Sequence, residues 1–120
     1  MDLGIPSPPL PPVPDVCGYR VLEKNAYDEA CSADSQIKHR GQCQAYRDWL
    51  TDPANYLAMG FVGKDLRPFV EQTTPSLIMS GGCNLQIQAK RVTVGYYTDL
   101  TVTTASSSAG YPWRAVCNIC

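Results

Sequence analysis

Apolar residues recur along the chain in two rhythms, helical from Asn25 to Gly60 and alternating from Ser76 onward. The first short stretch, Cys17 to Glu23, predicts a strand with Tyr19 and Val21 on one face. Asn25 then predicts an N-cap, with Asp28 three residues on in the manner of a capping box. The helix expected there runs to about Ile37 and carries Tyr27, Ala30, Cys31 and Asp34 on one side, with Cys31 facing inward. Gly41 predicts the intervening turn or C-cap. A second helix follows from about Gln42, with Cys43, Tyr46 and Leu50 in one stripe and Trp49 beside it. It should stop near Thr51, because the residue before Pro53 is pushed out of the helical region. Asp52 as N-cap with Pro53 at the first helical position opens a further turn that ends at Gly60.

Residues 61–75 show no regular period, and Gly63, Pro68 and Pro75 punctuate them. Leu66, Phe69 and Val70 are placed to cover a core edge. Beyond Ser76 the texture is that of strands. Leu77 to Met79 is a short apolar run, and Gly81-Gly82 marks a turn just before Cys83. Leu85, Ile87 and Ala89 alternate with Gln86, Gln88 and Lys90, the mark of a half-buried strand. Val92, Val94 and Tyr96 alternate next, with Gly95 a candidate bulge, and Leu100 and Val102 continue among threonines. Residues 105–110 predict a flexible loop and Trp113 to Ile119 a last strand. In a regular strand Cys117 and Cys120 leave on opposite faces and seek different partners. Successive strands joined by short turns pair antiparallel. The expected fold is therefore α+β, an antiparallel sheet of four to five strands packed against two helices and stabilised by disulfides.

Composition adds a compartment. The chain has 120 residues, enough for one core, and its six cysteines are many for a cytosolic protein and ordinary for an exported one. Cys17, Cys31, Cys43, Cys83, Cys117 and Cys120 are all expected in disulfides, and sequence alone does not choose the pairing. Asp2 follows Met1 with no apolar leader run after it, so the cysteines imply a mature form with Met1 added. Residues 1–16 hold most of the prolines and predict a disordered or polyproline arm, a spacer ahead of a single domain over 17–120.

Charge and motifs narrow the chemistry. A net charge of −1 offers no field for nucleic acid, and no apolar run approaches the ~20 residues of a membrane span. His39 is the one histidine and sits between Lys38 and Arg40 in a polar turn. Acid–base work on a ribonuclease plan needs a second proton carrier, and Glu23, Glu29 and Glu71 lie in no recognisable motif. Cys117-Asn118-Ile119-Cys120 spells CxxC, but no helix is expected after it to stabilise a thiolate, and zinc needs four ligands, for which this pair with the distant Cys83 or His39 is a weak case. No catalytic residue, metal or cofactor is assigned. Tyr97, Tyr111 and Trp113 are the candidate interface, since exposed aromatics dominate binding energy.

The run Ala30-Cys31-Ser32, then Asp34-Ser35, then Gly41-Gln42-Cys43, with Ala45 and an aromatic-rich helix after it, resembles the helical core of the smut-fungus killer toxins of the sixth type. It is similar also to the secreted fungal effectors that share their fold. The resemblance implies an antiparallel sheet on two helices, with Cys31 and Cys43 as half-cystines that anchor the helices. It further implies a secreted protein acting on a host or rival cell, with no common catalytic constellation. The leading expectation is thus a secreted, non-enzymatic effector or toxin-like virulence protein of a plant pathogen, binding a host or partner effector protein outside the cell or after translocation. A small secreted hydrolase such as a ribonuclease is the second expectation. An extracellular inhibitor working through the 105–110 loop is the third.

Overall fold

The computed structural model describes residues 18–107 and 113–119, so Cys17, Cys120, Tyr111 and the proline-rich arm lie outside the described residues. The elements run β1 (Tyr19–Val21), α1 (Arg40–Trp49), α2 (Pro53–Ala58), β2 (Asp65–Leu66), β3 (Val70–Gln72), β4 (Gly82–Ile87), β5 (Arg91–Tyr97) and β6 (Trp113–Asn118). The class is α+β, with two helices and a mixed sheet. The sheet is ordered β1-β6-β4-β5-β2, and β3 also pairs with β5. Among the described residues no helix is long and apolar enough to cross a membrane.

The expected antiparallel sheet is corrected on one edge. β4 and β5 form the hairpin their alternation predicts, and β6 lies antiparallel between β4 and β1. β2 and β3, from the segment expected to be irregular, run parallel to β5 in succession. The chain steps out between them at Pro68, which has no N–H to give to a ladder and is tolerated at an edge. Their partner strand is far away in sequence, so no local alternation announces them.

The expected helix from Asn25 to Ile37 does not form. Asn25 Oδ1 accepts from the amides of Tyr27 and Asp28 at 3.0 and 3.2 Å, so it caps a single turn and nothing continues. Asn25, Asp28, Ser32, Asp34 and Ser35 are residues whose side chains compete for nearby backbone groups and favour turns. Ser35 and Gln36 are instead recruited by the sheet. The Asn118 amide donates to the Ser35 carbonyl at 2.7 Å, and Gln36 bridges Cys117. α1 takes in Gly41 as part of its first turn rather than as a turn before it. α2 follows expectation, with Asp52 Oδ1 accepting from the Ala54 amide at 2.9 Å and Pro53 opening the helix.

The two faces of the sheet are covered differently. On one, Cys43 and Tyr46 of α1 and Leu50 at its C-cap pack on Cys83, Leu85, Val92, Val94, Tyr96 and Val116, with Ile37 and Phe61 closing the sides. The other is crossed by three irregular segments, 22–36 after β1, 73–81 between β3 and β4, and 98–107 after β5. They bring Leu22 and Cys31 onto Ala115 and Cys117, and Ile78, Met79 and Val102 onto Tyr97 and Trp113. Leu77–Met79 and Leu100–Val102 belong to these crossings and are not strands. Asp99 bends the third crossing, its carboxylate accepting from the Thr101 amide at 3.1 Å.

Glycines let the crossings come close. A Cβ on Gly81 would strike the Asp99 carbonyl, and one on Gly82, whose φ is +97°, would lie 2.7 Å from the Ile37 carbonyl oxygen. Gly95 is no bulge. It keeps register with Asn84 and Val70, and its missing side chain makes room for the Trp113 ring, 3.1 Å from where a Cβ would stand. Asn84 is buried outright and fully used. It accepts from Ser80 N and Oγ at 3.2 and 3.1 Å and donates to the Ser80 and Gly82 carbonyls at 2.7 and 3.0 Å.

Candidate functional site

Four of the six cysteines are described, and they form two bridges, Cys31–Cys117 and Cys43–Cys83. One bridge sits on each face. Cys43 is on the buried stripe of α1 and ties the helix to the start of β4. Cys31 is on the first crossing, between turns rather than on a helix, and ties that crossing to β6. Cys43 thus ties a helix to the sheet, whereas Cys31, expected on a helix, lies on none.

The interface aromatics are placed inside. Tyr97 is 3% exposed and Trp113 8%, because β5 and β6 are covered on both faces. The Tyr97 hydroxyl accepts from the Ser76 amide at 3.0 Å. Tyr96 and Tyr97 face opposite ways and both are core, since each face has its own cover. Those aromatics pin crossings and helix, and offer a partner little surface.

His39 stands exposed at the N-cap of α1, with no capping bond from its side chain. Its basic neighbour Arg40 is engaged, with Nε donating to Glu71 at 3.1 Å, Nη1 to Gln44 at 3.1 Å, and the guanidinium 5.2 Å from the Phe69 ring centre. Glu29 lies on the loop-covered face, away from His39, where Lys24 N donates to it at 3.2 Å. Among the described residues no three His, Cys, Asp or Glu side chains gather as a metal would require.

The loop expected at 105–110 is tacked down where it is described. The Ala105 amide donates to the Ala26 carbonyl and the Ser107 amide to the Leu77 carbonyl, each at 2.8 Å. Residues 108–110 lie outside the described residues.

A hollow open to solvent lies on the loop-covered face. It holds about 430 Å³, and Cys31 and Cys117 form part of its floor. Arg20 of β1, Glu29 and Asp34 of the first crossing, and Asn118 and Ile119 at the end of β6 line it. The Ser32 and Ser35 hydroxyls, 2.9 Å apart, brace the turn at one side. Ile119 is an exposed apolar side chain, and Tyr27 on the same crossing is another. One cation, two carboxylates and exposed apolar groups around an open hollow suit recognition of a mixed surface. Sequence reasoning missed this site because it joins three stretches remote in the chain. One signal was legible, the placing of Arg20 on the strand face opposite Tyr19 and Val21.

Three phenol groups of the helix-covered layer are shifted upward. Burial pushes the Tyr46 phenol far above its ordinary value, and neighbouring Tyr19 adds to the shift. Tyr96 is raised by burial and then by Glu71, and Tyr56 by burial and then by Asp65. Tyr56 and Tyr96 donate their hydroxyls to the Lys64 and Lys38 carbonyls at 2.6 and 2.8 Å. These groups hold loops to the helical layer and do not reach the hollow. Compared with models of protein families, with curated proteins and with solved structures, the chain matches none.

Proposed function

We propose that the chain is a secreted, non-enzymatic protein of the effector or toxin-like kind, acting by binding a protein of a host or a partner effector. The observation that carries the reading is the pair of disulfides, one closing each face of a small sheet. Such bridges persist in oxidising compartments. The resemblance of the Ala30 to Ala45 stretch to fungal killer toxins and effectors supplies the biological setting. The hollow at Arg20 and Ile119 supplies the surface. Arginine and tyrosine are enriched among the residues that dominate binding energy at protein interfaces; Arg20 stands exposed at this hollow, and Tyr27 is exposed on the crossing that helps to line it.

The test has two arms. The protein is secreted through an oxidising pathway, and its binding to host extracellular proteins is measured for wild type, for Arg20→Glu with Ile119→Asp, and for Leu57→Asp as an exposed control on α2. Binding lost in the first variant and kept in the second supports the reading. Equal binding by all three overturns the surface. Separately, RNA or glycan hydrolysis that disappears in His39→Ala would overturn the non-enzymatic assignment.

A further inference from the structure

We propose that Cys31–Cys117 is a thiol–disulfide exchange site, opened by small thiols ahead of Cys43–Cys83, and that its opening unlatches residues 27–34 from the sheet. The inference stands apart from the proposed function and uses only the placement of the two bridges.

The bridges differ in access. Cys43 and Cys83 are 0% and 2% exposed, sealed between α1 and the sheet. Cys31 is only half-buried and borders the open hollow. Exchange proceeds by attack of a thiolate on a disulfide sulfur, so reach decides which bridge reacts. Of the two half-cystines Cys31 is the more exposed, since Cys117 in β6 is 4% exposed.

The segment held by Cys31 has little else to hold it. None of residues 27–34 is fully buried, and Cys31 is the one side chain among them that packs on a core cluster, with Leu22, Ala115 and Cys117. On either side the chain is pinned independently of the bridge. Ala26 donates to the Trp113 carbonyl at 2.6 Å, and Ser35 accepts from Asn118. Gln36 Nε2 donates to the Gly81 and Leu100 carbonyls at 3.0 and 3.3 Å. Opening should therefore free a short strap and leave the sheet intact.

The chemistry balances with a thiol as co-reactant. A thiolate attacks Cys31 Sγ, the Cys31–Cys117 bond breaks, and a mixed disulfide forms on Cys31. The electron pair leaves on Cys117 Sγ, which takes up a proton. A second thiol then releases Cys31 as a thiol and departs as the oxidised small-molecule disulfide.

The test treats the oxidised full chain with graded glutathione, quenches with acid, alkylates, and maps peptides. Cys31 and Cys117 should become reactive at roughly tenfold lower glutathione than Cys43 and Cys83, with the adduct intermediate on Cys31. Hydrogen exchange at that point should rise in 27–34 while β4 and β5 keep their protection. Opening of Cys43–Cys83 together with or before the first pair overturns the proposal, as does loss of protection across the whole sheet. A Cys117→Ala variant removes the question of whether the reduced protein folds. Its Cys31 should take glutathione from glutathione disulfide, and a Cys31 that stays unmodified while the variant keeps native exchange protection in β4 and β5 counts against the site.

Discussion

One face of the sheet is covered by a single regular helix and the other by three lengths of irregular chain, and the two solve the same burial problem by different means. Under α1 the fit is side chain to side chain, with aliphatic and aromatic residues stacked at helical spacing over a strand hairpin. Under the crossings the fit is backbone to backbone. Gly81, Gly82 and Gly95 let main chain approach main chain or ring, and Asn84 and Gln36 bind the carbonyls that irregular chain would otherwise leave unpaired. A helix satisfies its own backbone and needs only an apolar stripe. A crossing must borrow donors from elsewhere, so its stability depends on a few specific polar side chains.

Removing the bridges separates the two most strongly. Cys43→Ala with Cys83→Ala should cost about 4 kcal/mol and Cys31→Ala with Cys117→Ala about 2–3 kcal/mol, read from urea unfolding of each double variant. Loop entropy alone orders them the other way, since Cys31–Cys117 spans 86 residues and Cys43–Cys83 spans 40. The reverse order would mean that denatured-state entropy, not burial under α1, sets the difference. Next in size, Leu85→Ala opens a cavity beneath the helix and should lower stability by about 3 kcal/mol. Gly81→Ala places a methyl against the Asp99 carbonyl, backbone that cannot swing aside, and should cost about 2 kcal/mol by the same measurement. A negligible loss there would show that the crossings give way and are not packed like the helical side.

The smallest effect concerns Tyr46. Its hydroxyl is buried with no partner among the described residues, so Tyr46→Phe should change stability at neutral pH by less than about 1 kcal/mol. At alkaline pH the variant should differ from wild type. The folded phenol stays protonated above its ordinary value of 10.0, whereas the unfolded one ionises there. The unfolded state then holds fewer protons, so the group's contribution is intact below about pH 10 and falls as pH rises further. Denaturant midpoints followed from about pH 8 to pH 11 should decline less steeply in Tyr46→Phe, with Tyr56 and Tyr96 leaving a residual slope of the same sign.

The same contrast explains what could be read in advance. The stripe of Cys43, Tyr46 and Leu50 and the alternation of β4 and β5 are local signals, and the helix-covered layer follows from them. Asn25 and Asp28 are also a local signal, a cap, but they specify only a first turn. Whether a helix continues depends on β6, which claims Ser35, Gln36 and Cys31 from far along the chain. β2 and β3 were hidden for the same reason. Tyr97 and Trp113 look like spare aromatics until the crossings above them are known. The hollow at Arg20, Glu29 and Ile119 was the least legible feature, because the alternation around Arg20 fixes only one of its walls and nothing local brings the other two segments to it.

The position of β6 between β1 and β4 bears on how a nascent chain can fold. By the time the β4–β5 hairpin has left the ribosome, Cys43 and Cys83 can already join beneath α1. Cys31 has no correct mate until Cys117 follows, 86 residues behind it. Throughout that interval it can capture Cys17, Cys43 or Cys83 instead. Since synthesis adds roughly 5–20 residues per second, the wait lasts seconds, long enough for a wrong bridge to form in an oxidising lumen. Correct maturation should therefore be sensitive to a disulfide isomerase, and the yield of native protein should track that enzyme more closely than it tracks any single packing substitution.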